Sequence, residues 1–513
     1  MRNKHEVLLI MEGTYPFNGG GVSTWAHMLC NRVDNVEYTL YSINAQFEKK
    51  PKYTLSSNVK ECIQVPLWAP MEPHELVNYG KKYYKSVVRK LKAEDADIKT
   101  IFLPLFIELL EAIYAETQNP KALDTLFFAM WNYFQKRDYK KTMTHSLVWD
   151  CYKRFSKQQI EKDRHYSATL QDLTIGMRWI YRFLIPISIP VKKADIAHLT
   201  LAGFPVIPAL VLKYKYDTPL VVTEHGVFIR ERLIAINQSE YSFFLKNLLI
   251  RFSEAITRLV YHKADRILSV NNFNKTWETK YGADPNKIDV IYNGIDSDVF
   301  VPKAKPAHRK DIPTVVAAAR IFELKDILTM IRSCAVVKAT IPNVEYRVYG
   351  DYDAVPEYTE ECRALIAALK LEKNFFLAGY HNTPQELFCE GDVSILTSIS
   401  EGFPYTVLES MSCGIPVVAT DVGGVTEALD STCGRVCKPK DHIAIGNSVI
   451  ELLQNEALRK QMGEAARKRV LDHFTINTFI SAYEKAYDVV MEAKFNNAIY
   501  LHQLVDEIAM EAS

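Results

Sequence analysis

The second half of the chain alternates short apolar runs with segments of helical periodicity. The apolar runs are continuous rather than interleaved with polar residues, which is typical of strands covered on both faces. They lie at 314–319, 344–349, 375–377, 393–396 and 416–419. Helical segments separate them, and this β-α-β alternation predicts a parallel, doubly wound sheet.

The first 300 residues repeat the pattern with one long interruption. A second set of parallel strands is predicted at 7–11, 39–43, 196–199, 220–223, 267–270 and 288–291. Between about residues 68 and 184 the chain is instead rich in aromatic residues and mainly helical in pattern. We interpret this stretch as a helical insertion whose aromatic face is either packed core or an exposed docking surface.

These patterns predict an α/β protein with two Rossmann-like, doubly wound domains that face each other across a cleft. The first domain is predicted over residues 1–305, including the insertion at about 68–184, and the second over 306–473. A linker is expected at 302–306, because two prolines and charged residues there cannot pack as a core segment. Residues 474–513 are predicted to form helices that pack back on the first domain.

The composition is that of a soluble globular protein, since 48% of the 513 residues are hydrophobic and 24% are charged. Lys and Arg number 62 and Asp and Glu 61, so a net charge of +1 gives no general electrostatic reason to bind nucleic acid. The nine cysteines include no C-x-x-C pair, which favours a reduced interior. The apolar run at 7–11 is too short for a signal peptide, and no stretch is long enough to span a bilayer. We therefore expect a cytoplasmic protein.

Two groups of residues could bind phosphate. Gly19, Gly20 and Gly21 follow the first predicted strand, where glycine amides and a helix N-terminus can approach an anion. They do not form a dinucleotide-binding G-x-G-x-x-G pattern, and an ordinary tight turn is the alternative. Arg320 and Lys325 follow the strand at 314–319, where two cations could neutralise a diphosphate, although surface cations are common.

A pair of glutamates is the most informative feature of the chain. Glu401 and Glu409 flank a turn formed by Gly402, Phe403 and Pro404 after the strand at 393–396. One carboxylate could bind a sugar hydroxyl and the other the ribose of a nucleotide. A solvated surface carboxylate is a poor interpretation of Glu409, because it lies within an apolar helical face.

Two further polar residues follow predicted strands. His225, after the strand at 220–223, could hydrogen-bond a reacting sugar, although a single histidine is more often structural. Asn293 begins an Asn-Gly turn after the strand at 288–291. The chain contains no H-E-x-x-H motif and no EF-hand loop, so the sequence predicts no metal.

Together these residues resemble the retaining glycosyltransferases of family GT4, which have the GT-B fold. The most specific segment is the pair of glutamates around residues 402–404, followed by Cys-Gly-Ile-Pro-Val-Val-Ala-Thr at 413–420. The resemblance implies that Glu401 lies by the donor sugar and that Glu409 binds the nucleotide ribose. It also implies a donor site that includes Gly19, Gly20, Gly21, Asn293, Arg320, Lys325, Gly402, Phe403 and Pro404. One departure is Lys325-Asp326, where many members have Lys-Gly.

Two segments narrow the resemblance. Residues 11–16 with 22–25, and residues 223–226 with 230–232, are similar to the glycosyltransferases of Pel exopolysaccharide synthesis. This likeness implies a UDP-sugar donor, in particular a UDP-N-acetylhexosamine, a growing glycan as acceptor, and polysaccharide synthase or export subunits of the inner membrane as partners. No cofactor is implied.

The mechanism implied by the resemblance is metal-independent hexosyl transfer with retention at the anomeric carbon. Arg320 and Lys325 would stabilise the departing diphosphate, and His225 and Glu401 would orient the sugar. Two other functions remain open on the sequence alone: a UDP-sugar epimerase of the same fold, and a nucleotide-binding scaffold of a polysaccharide secretion complex. The broken glycine pattern disfavours an NAD-dependent dehydrogenase.

Overall fold

The structure is a computed structural model that describes residues 4–48, 50–69, 83–162, 167–353, 355–381 and 383–511, with only the backbone at 83–86 and 497–511. The chain divides into two compact units. The N-terminal unit comprises Met1–Ser269, Lys275–Asp289 and Glu484–Ser513, and the C-terminal unit comprises Val270–Asn274 and Val290–Tyr483.

A seven-stranded parallel sheet forms the centre of the N-terminal unit. Its strands are β1 (His5–Glu12), β2 (Val36–Asn44), β3 (Val59–Pro66), β4 (Ile196–Leu199), β5 (Leu220–Glu224), β6 (Arg266–Ser269) and β7 (Ile288–Val290). They are arranged in the order β3-β2-β1-β4-β5-β6-β7. The chain therefore reverses its direction of travel across the sheet between β1 and β4, which pair in register from Val7↔Ile196 to Ile10↔Leu199. Ligands of such sheets bind at the carboxyl ends of the strands beside this switch point.

The sheet of the C-terminal unit repeats this arrangement with six parallel strands. They are β8 (Thr314–Ala318), β9 (Glu345–Tyr349), β10 (Phe375–Gly379), β11 (Val393–Leu396), β12 (Val417–Thr420) and β13 (Gly434–Cys437). Their order is β10-β9-β8-β11-β12-β13, which places the switch point between β8 and β11. The two strands are hydrogen-bonded neighbours, with Val393 opposite Val315.

Helices connect the strands of both sheets. Those associated with the first sheet are Gly21–Arg32, Tyr83–Lys92, Asp95–Asp97, Leu103–Tyr114, Pro120–Lys136, Tyr139–Met143, Ser146–Lys162, Leu170–Leu184, Val206–Tyr216, Phe228–Gln238, Phe243–Lys263 and Asn272–Lys280. Those of the second half are Ile327–Thr340, Pro356–Ala368, Tyr405–Ser412, Val425–Ala428, His442–Gln454, Glu456–His473 and Ile476–Glu511. Thr475 caps the last helix by accepting a hydrogen bond from the Thr478 amide at 3.2 Å.

The helical insertion packs as part of the N-terminal core. Aromatic side chains from it lie in the same buried cluster as Leu8 and Ile10 of β1: Phe102, Phe106, Phe127, Tyr133, Phe134, Tyr152 and Phe155. Most of the aromatic face is therefore core, although Phe128 is 40% exposed. Residues 70–82 and 163–166 of the predicted insertion lie outside the described residues.

The predicted α/β fold with two Rossmann-like domains is confirmed. The pattern missed β3 and β13, both of which are edge strands. In β3, Lys60, Glu61 and Gln64 interrupt the apolar run, because an edge strand is not covered as a central one is. The domain limits at 305 and 473, and the facing of the domains across a cleft, stay predictions.

The described residues also bear on the predicted surroundings of the protein. In that part of the chain, no helix has both the length and the apolarity needed to cross a membrane. All nine cysteines are free thiols.

Candidate functional site

The C-terminal unit gathers charged side chains at its switch point. Arg320 lies two residues beyond the end of β8, and Lys325 ends the short 3-10 turn Glu323–Lys325 that follows. Glu401 lies in the loop after β11. Since β8 and β11 are neighbours, their carboxyl ends bring these side chains to one edge of the sheet.

Lys325 and Glu401 form an ion pair at this edge. The Lys325 ammonium donates to Glu401 Oε1, and the Ser398 hydroxyl donates to the same oxygen at 2.6 Å. The side chains are only 23% and 11% exposed, respectively. Among the described residues, Glu401 Oε2 accepts no hydrogen bond, so one carboxylate oxygen is fixed and the other can accept from a ligand.

Backbone contacts hold the two loops that carry this pair together. The Ile399 amide donates to the Leu324 carbonyl at 2.9 Å, and the Thr397 hydroxyl donates to the carbonyls of Lys325 and Asp326 at 2.9 and 3.0 Å. The geometry of the ion pair therefore follows from the backbone and not only from the attraction between two flexible side chains.

Asp326 explains how the loop accommodates the departure from Lys-Gly. Its backbone is left-handed, with φ of 46°, a conformation that glycine adopts most readily but that Asp tolerates better than most residues. Its side chain caps the helix Ile327–Thr340 by accepting from the Thr329 amide at 3.2 Å. The N-cap offsets part of the backbone strain, so the turn keeps its shape without glycine.

Arg320 offers a second positive charge beyond β8. Its side chain is exposed, and the guanidinium carbon lies 5.0 Å from the centre of the Phe322 ring. Within the described chain no carboxylate forms an ion pair with it. The guanidinium therefore keeps its full charge for an anionic ligand.

The turn between the two glutamates is held by the loop that follows β12. The Gly424 amide donates to the Gly402 carbonyl at 2.8 Å. Gly423 is left-handed, with φ of 55°, and a Cβ atom there would lie 1.9 Å from the Glu401 carbonyl oxygen. Only glycine lets the two loops approach this closely.

Two asparagines brace the same turn from the other side. The Asn271 side chain donates to the Gly402 carbonyl at 3.0 Å, and the Asn293 side chain donates to the Phe403 carbonyl at 2.8 Å. Asn293, which the sequence places in the donor site, thus contacts the turn directly. Its Oδ1 atom is buried and has no hydrogen-bond partner among the described residues.

Phe403 and Pro404 fix the entry into the helix that carries Glu409. The buried Phe403 ring packs at 4.9 Å from Tyr292 and 5.3 Å from Phe474, measured between ring centres. Pro404 is the N-cap residue of the helix Tyr405–Ser412. The side chain of Glu409, in the last turn of this helix, is partly accessible.

Glu409 lies in an environment that disfavours its charge. Burial raises the pKa of its carboxyl from 4.5 to about 7. In the described part of the structure no group donates a hydrogen bond to it. A carboxylate that is desolvated but has no donor is suited to accept hydrogen bonds from the hydroxyls of a bound ligand.

The glycine loop of the N-terminal unit lies directly after β1. Gly20 has φ of 140° and is the N-cap residue of the helix Gly21–Arg32, whose first amides have no partner within the helix. The Lys52 ammonium lies against Gly19, 2.9 Å from where a Cβ atom would stand. The loop therefore combines free helix amides with a lysine that the sequence pattern did not single out.

His225 follows β5 directly in the chain. Its ring packs edge-on against Trp25 of the helix that begins at the glycine loop, with ring centres 4.6 Å apart. Burial lowers the pKa of His225 to about 3, so the imidazole is neutral at physiological pH. It can therefore exchange hydrogen bonds with a ligand, but it cannot supply a positive charge.

Two charged residues of the N-terminal unit were missed by the sequence patterns. Glu12 is the last residue of β1, and Arg232 lies on the helix Phe228–Gln238 after β5. The signal that could have identified them is a charged residue that ends an apolar strand and a charged residue in the first turns of the helix after a strand. No group of three or more His, Cys, Asp or Glu side chains suited to a metal occurs in the described part of the chain.

Two family models match the chain. Residues 5–286, more than half of the chain, match the family described as Domain of unknown function (DUF3492). Residues 301–469 match the family described as Glycosyl transferases group 1. The first match covers the insertion and the strands β1 to β6 of the N-terminal sheet, and the second covers all strands of the C-terminal sheet.

Similar curated proteins include several glycosyltransferases. N-acetyl-alpha-D-glucosaminyl L-malate synthase of Bacillus anthracis is 30% identical over 228 residues, 42% of this chain and 58% of that protein. The phosphatidylinositol N-acetylglucosaminyltransferase GPI3 subunit of Saccharomyces cerevisiae is 24% identical over 277 residues, 50% of this chain and 60% of that protein. The chain thus spans less than two thirds of the length of these relatives.

Solved structures share the fold across nearly the whole chain. HepE of Anabaena, in complex with UDP, superposes with a TM-score of 0.58 at 13% identity, over 94% of this chain and 100% of its own. Sucrose-phosphate synthase from Thermosynechococcus elongatus superposes with a TM-score of 0.61 at 12% identity, over 96% of this chain and 100% of its own. At these identities the similarity shows the fold alone.

Proposed function

Since the chain belongs to the family described as Domain of unknown function (DUF3492) and carries a domain of the glycosyl transferases group 1, we propose that it is a retaining hexosyltransferase. It moves a hexosyl unit, in particular an N-acetylhexosaminyl unit, from a UDP-sugar to a growing exopolysaccharide. The protein acts in the cytoplasm and works with polysaccharide synthase or export subunits of the inner membrane.

The observation that carries this proposal is the ion pair of Lys325 and Glu401 at the β8/β11 switch point. One oxygen of Glu401 is held by Lys325 and Ser398, which leaves the other to accept from a sugar hydroxyl. Arg320 lies on the loop after β8. Glu409 lies on the helix Tyr405–Ser412, which follows the turn at 402–404. Cations for a diphosphate and carboxylates for sugar and ribose hydroxyls are what a nucleotide-sugar requires.

The chain's own residues account for the charge that develops during transfer. The bond between the anomeric carbon and the UDP oxygen breaks, and a bond to the acceptor oxygen forms on the same face. The acceptor proton passes to a phosphate oxygen of the departing UDP. Arg320 and Lys325 stabilise the charge on that diphosphate, while Glu401 orients the sugar. Removing one such preorganised donor typically costs about 3 kcal/mol of transition-state stabilisation.

The N-terminal unit supplies the remaining polar groups of the proposal. The loop of Gly19, Gly20 and Gly21 offers backbone amides at a helix N-terminus, and His225 offers a neutral imidazole that can orient a hydroxyl. No step requires a metal or a resident cofactor; the UDP-sugar is a substrate.

Two kinds of similarity support a UDP-sugar as the donor: the names of similar proteins, and the resemblance of two segments to the Pel glycosyltransferases. Two similar proteins carry N-acetylglucosaminyl transfer or synthesis in their names, and HepE has been crystallised with UDP and with UDP-glucose. The segments 11–16 and 223–226, which resemble the Pel glycosyltransferases such as PelF, favour a UDP-N-acetylhexosamine and an exopolysaccharide acceptor.

Calorimetric titration with UDP tests the donor site. We expect selective binding of UDP over ADP and NAD, unchanged by EDTA and weakened by Glu409→Ala. The matched control is Glu464→Ala, which removes an exposed glutamate of the same unit. No UDP binding, or equal binding by the two variants, would contradict the proposed donor site and favour a scaffold.

A product assay tests the reaction itself. The wild-type protein is incubated with UDP-N-acetylglucosamine, UDP-N-acetylgalactosamine or UDP-glucose, with and without an oligosaccharide acceptor, and the products are examined by NMR. We expect UDP release that depends on acceptor and an α-linked product from these α-linked donors. Release of a free epimerised sugar without acceptor would instead identify an epimerase.

A further inference from the structure

Two partly buried charged side chains of the N-terminal unit, Glu12 and Arg232, have no part in the mechanism above. Glu12 ends β1, beside the switch point of the sheet, and the chain turns away at once through Gly13, whose φ is 63°. Arg232 lies one turn into the helix Phe228–Gln238 that follows β5. Both therefore stand at the carboxyl edge of the sheet, where α/β proteins bind their ligands.

The charges of these two groups interact, but no hydrogen bond joins them. Glu12 Oε2 and Arg232 Nε are buried, and neither atom has a hydrogen-bond partner among the described residues. No ion pair joins the two residues in that part of the chain, although the charge of Arg232 acts on Glu12 and opposes the effect of its burial. The guanidinium carbon of Arg232 lies 6.0 Å from the centre of the Phe183 ring and 5.9 Å from the centre of the Phe228 ring.

This arrangement is costly for the protein by itself. Nearly all buried polar atoms in native proteins are hydrogen-bonded, and a buried donor or acceptor atom without a partner is destabilising. Here an acceptor atom and a donor atom are both buried and unsatisfied, and the charges of their side chains interact. A group that donates to Glu12 and accepts from Arg232 would satisfy both atoms at once.

A sugar hydroxyl is such a group, since it carries one donor and two acceptor sites. A phosphate would be repelled by the Glu12 carboxylate, and a metal cation would be repelled by the Arg232 guanidinium. The pair of opposite charges therefore selects a neutral polyhydroxylated ligand. In a glycosyltransferase that description fits the acceptor saccharide, whereas the diphosphate of the donor does not fit it.

We propose that Glu12 and Arg232 bind a hydroxyl group of the acceptor glycan, which donates to Glu12 Oε2 and accepts from Arg232 Nε. This inference rests on the proposed function and extends it to the acceptor. Neither residue takes part in bond breaking. Their loss should weaken the binding of acceptor and leave the binding of nucleotide unchanged.

Steady-state kinetics of the full-length protein separate these effects. The donor is UDP-N-acetylglucosamine, and the acceptor probes are tetrasaccharides of N-acetylglucosamine and of N-acetylgalactosamine. Glu12→Gln and Arg232→Met should raise the acceptor KM at least tenfold, change kcat less than threefold and leave the Kd for UDP unchanged. Arg232→Lys, which keeps the charge but not the guanidinium, should lie between Arg232→Met and the wild type.

A matched control is available on the same strand. Glu6→Gln alters an exposed carboxylate at the opposite end of β1 and should leave the acceptor KM unchanged. An acceptor KM within twofold of wild type in both test variants would overturn the inference. So would a parallel loss of UDP affinity, since that would indicate a general structural role.

Saturation-transfer NMR measures binding of the tetrasaccharides directly. Because this measurement requires neither UDP binding nor sugar transfer, it tests the inference separately from the proposed function. If the wild-type protein neither binds UDP nor transfers sugar, the proposed function fails, and saccharide binding alone decides the inference. Binding by the wild type and by Glu6→Gln, with loss in Glu12→Gln and Arg232→Met, supports it. Absence of saccharide binding by the wild type overturns it.

Discussion

The substitution Glu409→Gln should stabilise the unliganded protein at pH 8 and have almost no effect on stability at pH 4.5. Burial raises the pKa of the Glu409 carboxyl from 4.5 to about 7. At 1.36 kcal/mol per pKa unit, ionising the group costs about 3 kcal/mol more in the folded than in the unfolded state. The side chain is partly accessible, and solvent screening reduces this cost to about 2 kcal/mol.

The sign of the pH dependence follows from where the proton is held. Between pH 4.5 and about 7 the folded state keeps a proton on Glu409 that the unfolded state has lost, so stability falls as the pH rises through this window. Above about pH 7 the full cost is present. Glutamine has no proton to lose, so the advantage of Glu409→Gln should grow across the window and then remain constant.

Thermal unfolding at pH 4.5 and pH 8 measures this difference. About 2 kcal/mol corresponds to a rise in Tm of about 4–8 °C for a domain of this size. Glu464→Gln, which alters an exposed glutamate of the same unit, should show no such rise. If wild type and Glu409→Gln have the same pH profile of Tm, the carboxyl is not desolvated as described, and the reasoning is refuted.

The remaining predictions concern the loops of the switch point. Lys325→Met removes the cation that pairs with Glu401, so calorimetry should show UDP affinity reduced about tenfold, which is about 1.4 kcal/mol. Unchanged UDP affinity would show that Lys325 does not contribute to the site. Asp326→Ala should lower stability by about 1–3 kcal/mol in urea unfolding, because the cap is lost while the left-handed backbone remains, whereas Asp326→Gly should change it little. Gly423→Ala should weaken UDP binding, since the new Cβ would lie 1.9 Å from the Glu401 carbonyl oxygen. The control is Gly282→Ala, because Gly282 has φ of 99° and a Cβ atom there would have no neighbour closer than 3.8 Å, so the substitution strains the backbone without a clash. Equal UDP binding by Gly423→Ala and Gly282→Ala would contradict the importance of the clash.

The strands in the middle of each sheet were predictable, as were the edge strands β7 and β10, whereas the edge strands β3 and β13 were not. A central strand such as β5 or β11 is covered on both faces and reads as a continuous apolar run. The edge strands β3 and β13 have no such cover, so Lys60 and Glu61 of β3 are tolerated and break the pattern. Both missed strands therefore lie where the environment constrains residue type less than it does in the middle of a sheet.

Some features of the candidate site were predictable from the sequence, and others were not. The turn at 402–404 and the charges of Lys325 and Glu401 could be identified locally, because turn residues and charges next to strand ends have local signatures. Their ion pair, between residues 76 positions apart, could not be identified in this way. Likewise, the resemblance implies that Asn293 belongs to the donor site, and only the structure shows that its side-chain amide donates to the Phe403 carbonyl.

By itself the sequence determined the class of fold, the positions of the central strands and the residue types able to bind a nucleotide-sugar, because these depend on periodicity and turn chemistry within a few residues. Only the tertiary structure decided that β8 lies beside β11 and β1 beside β4, which unites Lys325 with Glu401 and places Glu12 in the field of Arg232. It also decided that Glu409 is desolvated and that His225 is neutral. Strand order and burial arise from contacts between distant segments, and a pattern confined to neighbouring residues does not contain them.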